Sequence, residues 1–187
     1  ITTGEGGMIT TDDKEIALLA WNLRDHAFSE ERHFWHKLVG YNYRMTDIQA
    51  AVGTEQLKKA DVLNQRRIDN AAYLTEGLKN VPGLTLPKVL PEHKHVFHLF
   101  PVMIDPAVYG LNKEDFIYRM RHEKQIQIGF HYIPLHWSTA FQNRGYTRGQ
   151  FPVAETMAER LVTFPINPRQ SRESLDVLIA AVKAMRG

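Results

Sequence analysis

A chain of 187 residues that is 43% hydrophobic and 24% charged has the side chains for a core, and 23 Lys+Arg against 21 Asp+Glu leave a formal net charge of only +2. No stretch gathers Lys and Arg into the footprint that a phosphate backbone demands, and no apolar run reaches the roughly 20 residues that span a bilayer, so neither nucleic acid nor a membrane is expected as a partner. Zero cysteine removes disulfides, thiolate metal sites and a Cys nucleophile, and suits a reducing cytoplasm. The N-terminus has no basic segment leading into an apolar core. The sequence begins with Ile1 rather than Met, inside a glycine-rich motif, which sets the expectation that it is part of something longer.

In chain order, residues 8–11 are β-prone and read as a strand, and Asp12 or Asp13 then caps a helix ending near Asp25, with Ile16, Leu18, Leu19, Trp21 and Leu23 on a broad buried face. Residues 26–43 hold three histidines and five aromatics without a period and read as a packed loop. Thr46 and Gln49 form a capping box for a long helical stretch, with or without a break, that reaches about Lys79, where Val81-Pro82-Gly83 ends it. Beyond it, residues 84–86, 96–104, 126–128 and 161–166 read as strands, with Pro101 at an edge or bulge. Residues 112–124, 153–160 and 171–185 read as helices. Phe116, Ile117 and Met120 face inward in the first, and Leu175, Leu178, Ile179 and Val182 in the last, which Ser171 caps. The order suggests a small sheet with helices on one side.

Four groups of residues carry candidate chemistry. Gly4-Glu5-Gly6-Gly7 looks like a phosphate loop, but it precedes a strand and lacks the Lys-Ser/Thr of a P-loop, which favours a tight turn. Asn42 and Arg44 set an amide and a guanidinium two residues apart just before a helix start, a place that suits an anion, although spacing alone favours a loop with packed tyrosines and an asparagine bonded to its own backbone. His93, His95 and His98 form the tightest histidine cluster, without a carboxylate to complete a metal site. In residues 131–137 two imidazoles, a phenol and an indole surround Pro134, either as an aromatic packing cluster or as a contact for a ring-shaped ligand. No Gly-x-Ser-x-Gly elbow occurs.

Three of these segments together, Ile-Thr-Thr-Gly-Glu-Gly-Gly-Met-Ile at the start, Gly-Tyr-Asn-Tyr-Arg-Met-Thr-Asp-Ile-Gln-Ala-Ala-Val-Gly-Thr-Glu-Gln-Leu at 40–57 and His-Tyr-Ile-Pro-Leu-His at 131–136, resemble the DegT/DnrJ/EryC1/StrS family of pyridoxal-phosphate-dependent sugar aminotransferases. The resemblance runs through the whole chain and covers about the C-terminal half of such an enzyme. It implies an α/β, fold-type-I, aspartate-aminotransferase-like architecture. Residues 1–63 would be the end of the large cofactor-binding domain and residues 64–187 the small C-terminal domain.

The resemblance also implies roles. Asn42 would reach the cofactor phosphate of the neighbouring subunit in a homodimer, with Arg44 shaping that anionic site. His136, Tyr132 and His131 would border the sugar nucleotide, and Gly4 to Gly7 would form the turn after the Schiff-base lysine. That lysine is expected upstream of Ile1, and neither Lys14 nor Lys58 sits in its motif, so the chain by itself is expected to be inactive. The implied reaction stores an amine from an amino acid, commonly glutamate, on pyridoxal phosphate and delivers it to a keto-sugar nucleotide. Two alternatives stay open: a keto-sugar dehydratase of the same fold, and a non-catalytic binding or assembly subunit of a split enzyme.

Overall fold

In the computed structural model, which describes residues 1–28, 34–36 and 38–186, the chain divides into two units, Ile1–Asp61 and Val62–Gly187. In the first, the Asp13 carboxylate accepts from the Glu15 and Ile16 amides and starts helix α1 (Lys14–Arg24) where the sequence predicts. Such a cap contributes about 1 kcal/mol. Helix α2 (Asp47–Leu57) opens on the expected capping box: Thr46 Oγ1 accepts from the Gln49 amide at 3.3 Å, and Gln49 Oε1 accepts from the Thr46 amide at 3.1 Å. The long helical stretch breaks at Lys58 and Lys59, where the Lys59 amide tightens onto the Gln56 carbonyl, and resumes as α3 (Ala60–Leu78).

Two expectations for this unit fail. Residues 8–11 are not a strand, because none of the described residues pairs with them in a ladder. Helix α1 buries no residue, and Ile16, Leu18, Leu19 and Trp21 are at least half-exposed. An amphipathic helix needs a second layer to cover its stripe, and among the described residues of Ile1–Asp61 no sheet provides one. The loop expected at 26–43 is irregular where described, and residues 29–33 and 37 lie outside the described residues.

The second unit carries the core. Ala71, Leu74 and Leu78 of α3 are fully buried at helical spacing, and the chain then turns at Gly83 into strand β1 (Leu84–Thr85). Gly83 has φ +81°, and a Cβ there would lie 2.5 Å from the Tyr109 backbone nitrogen. Gly83→Ala is therefore expected to cost about 1 to 3 kcal/mol, read from urea denaturation, since both the left-handed backbone and the clash oppose a side chain.

Strands β1, β2 (Phe100–Ile104) and β3 (Leu161–Phe164) form an antiparallel sheet in that order. Pro101 lies within the central strand opposite Thr163. Thr163 turns its N–H and C=O to Gly129 instead, so Pro101 sits at a pair where the missing N–H faces away from β3. On that side β1 reaches only Met103 and Ile104, so the proline occupies a local edge.

The strands are shorter than the sequence suggests. Phe97 has φ +49° and its amide donates to His95 Nδ1, which interrupts the run before Phe100. Residues 126–128 do not pair as a strand. The Ile126 amide returns to the Met120 carbonyl, leaving a single bridge at Gly129.

Asn112 caps α5 (Lys113–Glu123), Ser171 caps α8 (Arg172–Ala184), and Pro152 occupies the first turn of α7 (Pro152–Arg160). Two short helices, α4 (Pro106–Tyr109) and α6 (Thr139–Gln142), and a 3₁₀ turn at Leu135–Trp137 were not expected. Phe100, Val102 and Ile104 on one face of β2 join Phe116 and Met120 of α5 and Leu175, Leu178 and Val182 of α8 in one core. A chain of rings crosses it, from Phe97 through Phe100, Phe164 and Phe116 to Tyr109. The Tyr109 hydroxyl donates to the Val182 carbonyl, and burial pushes its pKa up to about 12.

Candidate cofactor and substrate segments

Residues 41–43 run beside the end of α1 through three backbone hydrogen bonds, from Tyr41 to Leu23, from His26 to Tyr41 and from Tyr43 to Arg24. In extended chain alternate side chains share a face. Tyr41 and Tyr43 accordingly stack, with centroids 5.0 Å apart and an 8° interplanar angle. Asn42 and Arg44 meet as well, Arg44 Nε donating to Asn42 Oδ1 at 3.2 Å. Arg44 Nε also lies 3.4 Å from Asp25 Oδ1, within ion-pair range but without hydrogen-bond alignment. The Asn42 carbonyl oxygen is thus engaged, while its amide hydrogens take no part in that contact.

The glycine loop is tied to α2. Gln49 Nε2 donates to the Glu5 carbonyl at 3.0 Å, and Thr3 Oγ1 donates to the same oxygen at 2.8 Å. A Cβ on Gly6, whose φ is +155°, would lie 2.5 Å from Thr3 Oγ1 and 2.8 Å from Met45 Cε. The loop is a turn tied to α2, in which Gly6 is accounted for by the close approach of Thr3 and Met45, whereas a Cβ on Gly4 or Gly7 would meet nothing within 4 Å.

In the second unit His131, Tyr132 and His136 are treated differently by the fold. His131 Nδ1 lies 2.9 Å from the buried Thr163 hydroxyl, and its ring meets Tyr132 edge-on at 4.7 Å. Tyr132 is 75% exposed and borders, with His131, Phe130, Tyr118 and Arg121, a groove of about 460 Å³ beside α5. His136 is only 7% exposed and its Nε2 lies 2.9 Å from Glu155 Oε1. A carboxylate only accepts, so the hydrogen sits on Nε2.

Glu155 Oε1 also accepts from the Gly149 amide at 2.7 Å and the Phe151 amide at 3.3 Å. Nothing in the sequence marked Glu155, which lies 19 residues beyond His136 and meets it only through the fold. Burial raises the Glu155 pKa, but the His136 hydrogen bond and the two amides outweigh it and hold the carboxyl below its ordinary value of 4.5. A depressed folded pKa stabilises fully above the unfolded value and is lost as pH falls through the folded one. Glu155→Gln is therefore expected to flatten the fall of melting temperature with pH below about 4.5, relative to the wild type.

The clustered histidines are used locally, His93 Nδ1 donating to the Pro91 carbonyl and His95 Nδ1 accepting from the Phe97 amide. Among the described residues no three His, Cys, Asp or Glu gather around a common point. The two candidate segments lie in different units: Asn42 and Arg44 in Ile1–Asp61, and His131, Tyr132 and His136 in Val62–Gly187.

The profile of the DegT/DnrJ/EryC1/StrS aminotransferase family matches residues 1–183. The chain is 37% identical over 194 residues to the uncharacterized protein MJ1066 of Methanocaldococcus jannaschii, covering 98% of this chain and 50% of that protein. It is 35% identical over 178 residues to the dTDP-3-amino-3,6-dideoxy-alpha-D-galactopyranose transaminase of Aneurinibacillus thermoaerophilus, covering 95% and 46%. The crystal structure of DesV from S. venezuelae superposes with a TM-score of 0.83 at 30% identity, covering 94% of this chain and 45% of that one. The chain spans about half the length of these relatives, and its α/β architecture is the corresponding half of the fold-type-I enzymes. It belongs to the DegT/DnrJ/EryC1/StrS aminotransferase family.

Proposed function

We propose that this chain is the C-terminal portion of a pyridoxal-phosphate-dependent aminotransferase that moves an amino group from an amino acid, glutamate, to a keto-sugar nucleotide. The family match over residues 1–183 carries the reading. Residues 1–63 would close the large cofactor-binding domain and residues 64–187 form the small domain. Two copies would pair through a surface including Phe34, Trp35, Tyr41 and Tyr43, all substantially exposed. Among the described residues no helix is long and apolar enough to cross a membrane, and a cysteine-free chain suits a reducing cytoplasm.

The donor set at Asn42 and Arg44 fits a phosphate, which only accepts in its dianionic form: an amide with its hydrogens outside the Arg44 contact stands beside a guanidinium. Bound there, pyridoxal phosphate would supply the electron sink and amine carrier that protein side chains lack. Asn42 would donate to a phosphate oxygen, and Arg44 would offset phosphate charge with whatever part of its own charge Asp25 does not already neutralise. His131 and Tyr132 would contact the sugar nucleotide, and His136 would hold their segment in place.

The test uses the complete protein carrying this chain, given glutamate and dTDP- or UDP-linked 4-keto and 3-keto sugars. Formation of one 2-oxoglutarate per amino sugar is the expected result. Loss of water from the sugar without glutamate consumption would overturn it in favour of a dehydratase.

A further inference from the structure

Residues 129–136 form a strap fixed to the second unit at both ends. At one end Gly129 and Thr163 exchange two backbone hydrogen bonds, at 3.0 and 2.7 Å, and the Thr163 side chain meets His131 Nδ1 at 2.9 Å. At the other end His136 is buried against Glu155. Between these anchors Tyr132 and Ile133 are 75% and 60% exposed. The strap therefore presents an exposed phenol from two buried attachments.

We infer that Glu155 is a positioning residue for the sugar-nucleotide site, setting the geometry of Tyr132 and His131 through its hydrogen bond to His136. The inference rests on the function proposed above and assigns this role to a residue outside the substrate contacts named there. One oxygen, Oε1, receives the imidazole N–H of His136 and the amides of Gly149 and Phe151. It joins the 3₁₀ turn at Leu135–Trp137 and the loop leading into α7 to the first turn of that helix.

The surroundings leave the His136 ring little freedom. Its faces and edges meet Phe151 at 4.9 Å and Trp137 at 5.9 Å, and Arg148 stacks over Trp137 at 4.1 Å. Without the carboxylate the imidazole N–H is a buried donor lacking its acceptor, so the ring must turn or draw in water. Either response moves the C-terminal anchor of the strap. The Thr163 anchor remains, so Tyr132 is expected to shift rather than the whole unit to unfold.

The complete enzyme is assayed as wild type, Glu155→Ala, Glu155→Gln and His136→Phe. Four quantities are measured: the rate of the glutamate half-reaction from cofactor absorbance, the Kd for dTDP and UDP, the KM for the keto-sugar nucleotide, and the melting temperature. Glu155→Ala is expected to raise Kd and KM about tenfold while the glutamate half-reaction stays within about twofold, because misplacement affects only the partner that the strap touches.

Glu155→Gln is expected to recover most of the loss, since a carboxamide oxygen still accepts from all three donors. His136→Phe keeps Glu155 on its two amides and is expected to reproduce the Glu155→Ala effect. It decides the matter with Glu155→Gln if Glu155→Ala does not fold. Wild-type affinity in folded Glu155→Ala and His136→Phe overturns the inference. Both half-reactions falling together with melting temperature overturns it too, because that marks a purely structural carboxylate. A wild type that neither reacts with glutamate nor binds either nucleotide overturns the proposed function itself, before any variant is compared.

Discussion

Phe164→Ala is expected to destabilise the chain by about 3 to 5 kcal/mol, a large part of the total stability of an ordinary domain. Phe164 is 1% exposed on β3, and its ring lies between Phe100 at 6.4 Å and Phe116 at 6.0 Å. Truncation removes the ring from both neighbours and leaves a void that strand and helix backbones cannot collapse to fill. The sheet offers little slack, because β3 is held by four paired positions to β2 on one side and by the Gly129 bridge on the other. Phe164→Leu, which keeps most of the volume, is expected to cost about 1.5 kcal/mol or less. Val177→Ala on the exposed side of α8 is expected to lie within about 0.5 kcal/mol of the wild type. Urea titration separates the three, as shifts in midpoint at constant slope.

How much of this was legible depends on how local the signal is. The caps at Asp13, Thr46 and Ser171 were readable because each rests on one side chain and an amide two or three residues away. The inward faces of α5 and α8 followed from helical period. Strand ends were not readable, because they depend on partners. Residues 126–128 have the right residue types, but the chain is still closing α5 there, and the Ile126 amide is committed to Met120. Pro101 was placed correctly at an edge in kind, although the edge lies inside the central strand and exists only because β1 stops at Thr85.

The candidate site divides along the same line. Asn42 and Arg44 are two residues apart, so their contact is local once the segment is extended, although spacing alone did not fix that it is. The partners of His131 and His136 are 32 and 19 residues away, and only the fold identifies Thr163 and Glu155 as the groups that orient them. The buried environment of His136 also distinguishes it from Tyr132, which the sequence had grouped with it. One faces a carboxylate inside the unit and the other faces solvent.

Asn42→Ala, made in the complete protein, is expected to weaken pyridoxal phosphate binding by one to two decades while leaving the apo fold nearly intact. An amide donating to a phosphate oxygen makes a charge-assisted hydrogen bond, and losing one costs about 1.5 to 3 kcal/mol. The structure explains why folding is spared: Asn42 bridges to Asp25 through its backbone, which alanine retains, and its side chain is exposed. Its side-chain bond among the described residues, from Arg44 Nε, is a surface contact, and Arg44 keeps Asp25 as a neighbour at 3.4 Å. Surface substitutions of this kind usually change stability by about 0.5 kcal/mol or less. Titration of apo wild type and apo mutant with pyridoxal phosphate, paired with thermal melts of both, separates the two roles. Equal cofactor affinity with a clear drop in apo melting temperature would make Asn42 a structural turn residue and remove it from the phosphate site. A loss of affinity at unchanged melting temperature assigns its amide to the phosphate.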